Sequence, residues 1–206
     1  MKKKLTRVVT AVFFMFALAG IANATVLTFD DLTPTTTNLP INVYGGLNWA
    51  YFYYLNGPGY DSFSGHPSGY NHGVVSGNYV ALNGGGLDAS TSDTNFNFTG
   101  AYLTGAWNDG LNIQVQGFRS GGLLYDNTVV VDTTGPTWFN FNYYGIDQLV
   151  FSSFGGTNAG LGSAGTQFAM DDFTFNSVPE PATMFLLGTG LVGVAGAARR
   201  KKKNQA

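Results

Sequence analysis

The sequence contains no cysteine, and its central part contains neither lysine nor glutamate. Without cysteine the chain has no disulfide bond, no thiolate ligand for zinc and no thiol nucleophile. Residues 25–177 carry a single cation, Arg119, against eleven aspartates, which gives this part a net charge of −10. A nucleic-acid-binding surface needs clustered lysine and arginine, so we expect no nucleic-acid partner.

The same composition disfavours helices. Lysine and glutamate are good helix formers, whereas aspartate favours turns and loops. Short segments such as 94–98 and 138–143 alternate apolar and polar residues and end at glycine, asparagine, aspartate or proline. A period of two indicates strands with one buried face. The sequence predicts an all-β domain over residues 25–177, a jelly-roll-like β-sandwich of about nine to ten strands, with an open barrel as the alternative. We expect a glycine-rich loop over residues 56–77.

The first 24 residues have the three parts of a secretory signal peptide. Basic residues at positions 2–7 precede an apolar run over 8–21, and Ala22 and Ala24 provide the small-x-small pattern that signal peptidase recognises. We therefore expect cleavage after Ala24 and a mature chain that begins at Thr25. A retained transmembrane segment is the alternative.

Residues 178–206 form a separate tail with three successive features. The motif Pro179-Glu180-Pro181 comes first, and an uncharged, glycine-rich apolar run over 183–198 follows. As a helix, this run would be roughly 24 Å long, somewhat less than the hydrocarbon core of a bilayer. Five basic residues complete the tail: Arg199, Arg200, Lys201, Lys202 and Lys203. Basic clusters stay on the cytoplasmic side, so the tail would act as a membrane anchor with the domain outside.

This ordered tail is similar to the sorting signal of the PEP-CTERM protein family. The resemblance implies that an exosortase-type membrane peptidase recognises Pro179, Glu180 and Pro181 and cleaves near them. It further implies an inner-membrane intermediate, followed by the cell surface or extracellular matrix of a Gram-negative bacterium, with an exopolysaccharide as a candidate partner. A plain membrane anchor is the alternative, and the resemblance does not extend to the domain.

Two pairs of aspartates are candidate metal ligands. Asp30 and Asp31 follow the first predicted strand, and Asp171 and Asp172 open the last one. The domain resembles galactose-binding-like jelly-roll modules in strand pattern alone, and the first and last strands of such modules often run side by side. Four converging carboxylates with almost no nearby cation favour Ca²⁺, which takes oxygen ligands. The alternative is that these aspartates only keep an exported domain soluble.

An aromatic segment is a candidate glycan platform. On a straight strand Trp49, Tyr51 and Tyr53 face one side, and Phe52 and Tyr54 face the other. One set is expected in the core, and Trp49, Tyr51 and Tyr53 are the candidate glycan platform, because amphipathic rings suit a sugar.

We expect no catalytic residues. His66 and His72 lie in a glycine-rich segment without a nucleophile elbow nearby. The sequence therefore predicts a non-catalytic structural or adhesive domain. A carbohydrate-binding module is the second hypothesis, and a secreted hydrolase is the third.

Overall fold

The computed structural model describes residues 24–178 and Gly190. The predictions for Ala22, for the motif 179–181 and for the basic cluster 199–203 lie outside the described residues, as does the anchor helix at 183–198 apart from Gly190. In the part that is described, no helix has the length and apolar character needed to cross a bilayer.

Residues 24–178 are mostly β-structure, as predicted. The strands are β1 (Thr25–Leu27), β2 (Leu39–Pro40), β3 (Val43–Tyr44), β4 (Leu47–Ala50), β5 (Phe52–Asn56), β6 (Tyr79–Asn83), β7 (Ala89–Gly105), β8 (Asn108–Asp109), β9 (Leu111–Arg119), β10 (Gly122–Val131), β11 (Thr137–Phe154), β12 (Thr157–Asn158) and β13 (Phe168–Ser177). Four of these thirteen strands are only two residues long, which leaves nine longer ones in the described range. Two short helices, α1 (Gly57–Ser64) and α2 (Gly69–His72), and a 3-10 turn (Gly84–Gly86) complete the domain.

All strand pairings are antiparallel, and the two longest strands take part in both layers of a sandwich-like sheet. Residues 89–92 of β7 pair with β4 and with the end of β11, whereas residues 96–105 pair with the start of β11 and with β13. From β11 the sheet continues to β9 and β10, and from β13 it continues to β6, β5 and β2. The register of β11 shifts between 140 and 148, where Asn142 has φ 53° and Gly145 has φ 67°. Such bulges bend a strand, so β11 can pass from one layer to the other.

Aromatic side chains fill the space between the layers. The Trp49 ring of β4 lies 5.3 Å from the Phe173 ring of β13, and Phe52 of β5 lies 5.5 Å from Phe151 of β11. Phe98 stacks on Phe173 with a centroid distance of 4.7 Å. These rings are buried, so the phenylalanines of the alternating segments face inward. Their burial removes a large apolar area from water, which is the main stabilising contribution in a domain without disulfides.

The prediction of a continuous loop over 56–77 is wrong, because α1 and α2 lie within it. Asn56 caps α1 by accepting a hydrogen bond from the Gly59 N–H at 2.7 Å, and Gly65 ends the helix with φ 76°. Ser68 caps α2. Helices of eight and four residues are too short to show a 3.6-residue period, so their caps and their packing against the sheet determine them.

Candidate functional site

One aspartate pair, Asp30 and Asp31, follows β1, and the other, Asp171 and Asp172, lies within β13, the strand that pairs with β1. Strand β1 pairs with β13, with Leu27 opposite Phe173. The resemblance to jelly-roll modules implied that the first and last strands are neighbours, and β1 and β13 are paired in the structure.

Asp171 is fully buried and holds the segment that leads from α2 to β6. Its Oδ2 accepts hydrogen bonds from the backbone N–H groups of Val75 at 2.8 Å and Ser76 at 3.0 Å, and its Oδ1 accepts from the Asp172 N–H at 2.7 Å. Burial raises the pKa of Asp171 to about 6, against the opposing effect of these three N–H donors. The carboxylate is therefore a structural anchor for residues 75 and 76.

Asp30 holds the other end of the same segment. Its Oδ1 accepts from the Asn78 N–H at 2.8 Å and from the Tyr79 N–H at 3.2 Å. Between the two anchors lies Gly77, whose φ is 55° and whose missing Cβ would lie 2.0 Å from Asp30 Oδ1. We call residues 75–79 the clamped segment, because carboxylates from near both ends of the β-domain fix its backbone.

The remaining two carboxylates also have partners within the protein. Asp172, at φ 50°, accepts from the Ser76 Oγ at 2.7 Å, and Asp31 accepts from the Tyr44 hydroxyl. Burial, followed by the Asp31 carboxylate, raises the pKa of Tyr44, so its hydroxyl stays a donor. Among residues 24–178, no three acidic or histidine side chains are grouped so that they could hold a metal ion. Calcium binding at the four aspartates stays a prediction. In the structure, N–H and O–H donors contact the carboxylates that this prediction assigned to a cation.

The predicted glycan platform of Trp49, Tyr51 and Tyr53 does not form a shared face. Trp49 is buried in the core, and its Nε1–H donates to the Tyr44 carbonyl at 3.0 Å. Tyr51 is 62% exposed and has φ 59°, which interrupts the alternation between β4 and β5. Sequence periodicity assumes a continuous strand, so the left-handed backbone at Tyr51 is the reason why the expected shared face is absent, and glycan binding by these residues stays a prediction.

Tyr53 instead contributes to a second aromatic cluster, on the side of β5 and β6 that faces α1 and α2. The rings of Tyr60 and Tyr70 lie 5.3 Å apart, and the Trp107 ring lies 5.4 Å from Tyr70. Leu55, Val80, Leu82 and Ala169 form the apolar floor of this cluster. Gly69 lets α2 approach it closely, because a Cβ there would lie 1.8 Å from the Gly105 carbonyl. The cluster joins residues that are distant in the sequence, so strand periodicity gave no sign of it.

A pocket of about 250 Å³ opens beside this cluster. Its walls are two tyrosines, two leucines, a glycine and two carboxamides: Asn38, Leu55, Tyr60, Tyr70, Leu82, Gly85 and Gln167. The Oε1 atom of Gln167 is buried and has no hydrogen-bond partner among the described residues. The lining contains no charged side chain, so the pocket is suited to an uncharged ligand.

The two histidines lie near this region but form no catalytic relay in the described part of the chain. The Nδ1 of His72 lies 2.7 Å from the Thr133 carbonyl, and that of His66 lies 3.2 Å from the Pro67 carbonyl. Ser68 donates directly to Asp61, whose other oxygen accepts from the Asn71 Nδ2 at 2.8 Å. A Ser-His-Asp relay needs a histidine between the serine and the carboxylate, and here none lies between them.

Comparison with protein families identifies the C-terminal segment. Residues 177–201 match the PEP-CTERM protein-sorting motif, in agreement with the resemblance of Pro179-Glu180-Pro181 and the residues after it. The chain thus carries the sorting signal of a PEP-CTERM protein, which implies export and sorting to the cell surface. No curated protein matches the sequence.

Two solved structures align with part of the chain at low similarity. A DUF4465 family protein from Bacteroides ovatus aligns with 13% identity and a TM-score of 0.39, over 78% of this chain and 96% of its own. The structure of TmCBM61 in complex with β-1,4-galactotriose aligns with 13% identity and a TM-score of 0.34, over 66% of this chain and 92% of its own. The sorting motif is the comparison that bears on function.

Proposed function

We propose that the protein is an exported component of the cell surface or extracellular matrix, with a non-catalytic β-sandwich as its structural or adhesive part. The sorting motif at residues 177–201 is the observation that carries this proposal. Signal peptidase would release the N-terminus after Ala24, and an exosortase-type peptidase would process the C-terminal tail. The partner outside the cell would be an exopolysaccharide.

The end of the folded domain limits where the tail can be cut. Ser177, the last residue of β13, pairs with Phe96, and the Val178 N–H donates to the Asn95 carbonyl at 3.1 Å. Pro179 has no N–H and cannot continue the ladder. Cleavage before Val178 would require part of β13 to separate from β7, so we place the cut after Val178.

Intact mass spectrometry of the exported protein, combined with cell fractionation, tests this proposal. We expect a product that begins at Thr25, retains Val178, lacks Arg199–Lys203 and is found at the surface or in the matrix. Glu180→Gln should leave an uncut protein in the membrane, whereas Asn204→Ala, outside the motif, should be processed normally. A wild-type protein that keeps its basic end in the membrane would show that the tail is only an anchor.

Carbohydrate binding is the second candidate function of the domain. It is favoured by the uncharged pocket next to the aromatic cluster, since neutral sugars pack on aromatic faces and form hydrogen bonds with amide groups. A glycan array probed with the purified exported protein tests it. Reproducible binding to neutral glycans would support the hypothesis, and an array without hits would leave the structural role.

A further inference from the structure

We propose that the pocket between α1, α2 and strands β5 and β6 binds one neutral sugar ring of a polysaccharide. The inference rests on the proposed surface location, where such polymers are the available ligands. It gives the carbohydrate-binding hypothesis a site whose lining does not include Trp49 or Tyr51.

The size of the pocket fits a single ring. Pockets that bury drug-sized ligands measure roughly 300–1,000 Å³. At about 250 Å³ the pocket is smaller, and Tyr70 and Leu82 close its inner side because both are buried. A long oligosaccharide would have to place one unit inside and leave its neighbours in solvent.

The charge distribution indicates a neutral ligand. The lining has no charged group, and the net charge of −10 over residues 25–177 repels an anionic polymer. The adjacent carboxylate on α1, Asp61, is directed to Ser68 and Asn71, which occupy both of its oxygens. Hydroxyl-rich, uncharged ligands are the class that such walls can accept.

The tyrosine rings are held in place before any ligand arrives. Tyr60 contacts Tyr70 edge-to-face at 5.3 Å, and its ring lies 6.2 Å from Trp107. Burial, followed by the Asp61 charge, raises the pKa of Tyr60, so its hydroxyl remains protonated and can both donate and accept. Because the rings are already fixed, a ligand that packs on them orders few side chains.

Two carboxamides provide the polar groups at the walls. Gln167 lies just before β13, and its carbonyl fixes it beside the cluster by accepting from the Ala106 N–H at 3.0 Å. Its side-chain Oε1 is shielded from solvent and lacks a donor within the described residues, so a ligand reaches this atom only when the Gln167 side chain turns toward the pocket. Asn38 reaches the pocket from the segment before β2. A sugar hydroxyl could donate to the oxygen of such a carboxamide or accept from its N–H₂ group. A purely apolar ligand could form neither hydrogen bond.

Titration of the purified exported protein with neutral monosaccharides tests the proposal. Glucose, galactose, mannose and N-acetylglucosamine would be added to millimolar concentration, and binding would be followed by saturation-transfer NMR and calorimetry. We expect at least one of them to bind saturably, and Tyr60→Ala to weaken that binding at least tenfold. Tyr60→Phe, which keeps the ring and the fold, should weaken it by less.

Tyr144→Ala is the matched control, because Tyr144 is 61% exposed and is absent from the pocket lining. Gln167→Leu should weaken binding while the melting temperature stays at or above the wild-type value. Absence of saturable binding by the wild type would overturn the proposal, as would equal losses in Tyr60→Ala and Tyr144→Ala. Either result would leave the sorting proposal intact, since the mass and location of the product are measured separately.

Discussion

The buried carboxylate of Asp171 accepts a hydrogen bond from the backbone N–H of Ser76, 95 residues earlier in the chain, at 3.0 Å. Asp30 makes the equivalent contact with Asn78 from the other end of the chain. Strand β13 and the turn that follows β1 thus contribute the side chains that fix the clamped segment. In a protein without disulfides, these bonds tie α2 and β6 to the first and last strands.

Replacement of Asp171 should strongly destabilise the domain. Asp171→Ala leaves the N–H groups of Val75, Ser76 and Asp172 without their acceptor, and buried unpaired donors each cost about 1–3 kcal/mol. We expect the free energy of unfolding to fall by about 3 kcal/mol, measured by urea denaturation. Asp88→Ala is the control, since Asp88 is exposed, and it should change stability by less than about 0.5 kcal/mol. Equal effects of the two substitutions would contradict the anchoring role.

The pKa of Asp171 predicts a specific pH dependence. Its ordinary value of 3.8 is raised to about 6 by burial, so between these values the folded state binds more protons than the unfolded state. The contribution of this group to stability is therefore highest below about pH 4 and falls by up to about 3 kcal/mol as the pH rises to about 6. Asp171→Asn cannot titrate. We expect the stability difference between wild type and this variant to change over that window in favour of the variant.

The difference in stability between wild type and Asp171→Asn controls for the other titrating groups, because both proteins contain them. The pKa of Asp109 is lowered by the Thr133 N–H and hydroxyl, so its stabilising contribution is lost only as the pH falls below the ordinary range of a carboxyl. It is present in both proteins and cancels in the difference. A stability difference that stays constant from pH 4 to pH 7 would show that Asp171 does not titrate in this range.

Gly77 should be sensitive to a single methyl group. Gly77 and Gly110 both have positive φ, 55° and 64° respectively. A Cβ introduced at position 77 would clash with Asp30, whereas a Cβ introduced at position 110 would have no atom within 4 Å. Gly110→Ala should cost about 1–2 kcal/mol from the left-handed backbone alone. Gly77→Ala should cost more, because it also displaces Asp30 from Asn78 and Tyr79. Equal losses of stability in the two variants would mean that the Asp30 contact is weak.

Calcium should leave the melting temperature unchanged. The carboxylates of Asp30, Asp171 and Asp172 already accept backbone or hydroxyl donors, so these bonds compete with a cation for the carboxylate oxygens. We expect equal melting temperatures in millimolar Ca²⁺ and in EDTA, measured by scanning calorimetry. A saturable rise with Ca²⁺ that Asp31→Asn abolishes would instead establish the site that the sequence predicted.

The sequence was sufficient to predict the β-domain and the inward direction of residues such as Phe98, because strand alternation is a local property. The pairing of β1 with β13 agrees with what the resemblance to jelly-roll modules implied. The sequence could not show that Asp171 faces backbone N–H groups, since this depends on where the segment after α2 returns. It could not show that Trp49 and Tyr51 face different sides, because Tyr51 has a left-handed backbone that interrupts the alternation of the strand. The cluster of Tyr60, Tyr70 and Trp107 depends on long-range packing that no local pattern encodes.

Substitution of Trp49 should lower the stability of the domain far more than substitution of Tyr51, although the two residues are only two positions apart. Trp49 contacts Phe52 at 5.1 Å and Phe173 at 5.3 Å in the core, so Trp49→Ala should lower the free energy of unfolding by about 3–5 kcal/mol. Tyr51 is 62% exposed, and Tyr51→Ala should change it by less than about 0.5 kcal/mol. Urea denaturation of both variants measures these values. If saccharide binding is unchanged in Tyr51→Ala, the predicted platform has no role in binding. If Tyr51→Ala abolishes binding while the fold stays intact, the binding surface lies at Tyr51 and not in the pocket at Tyr60.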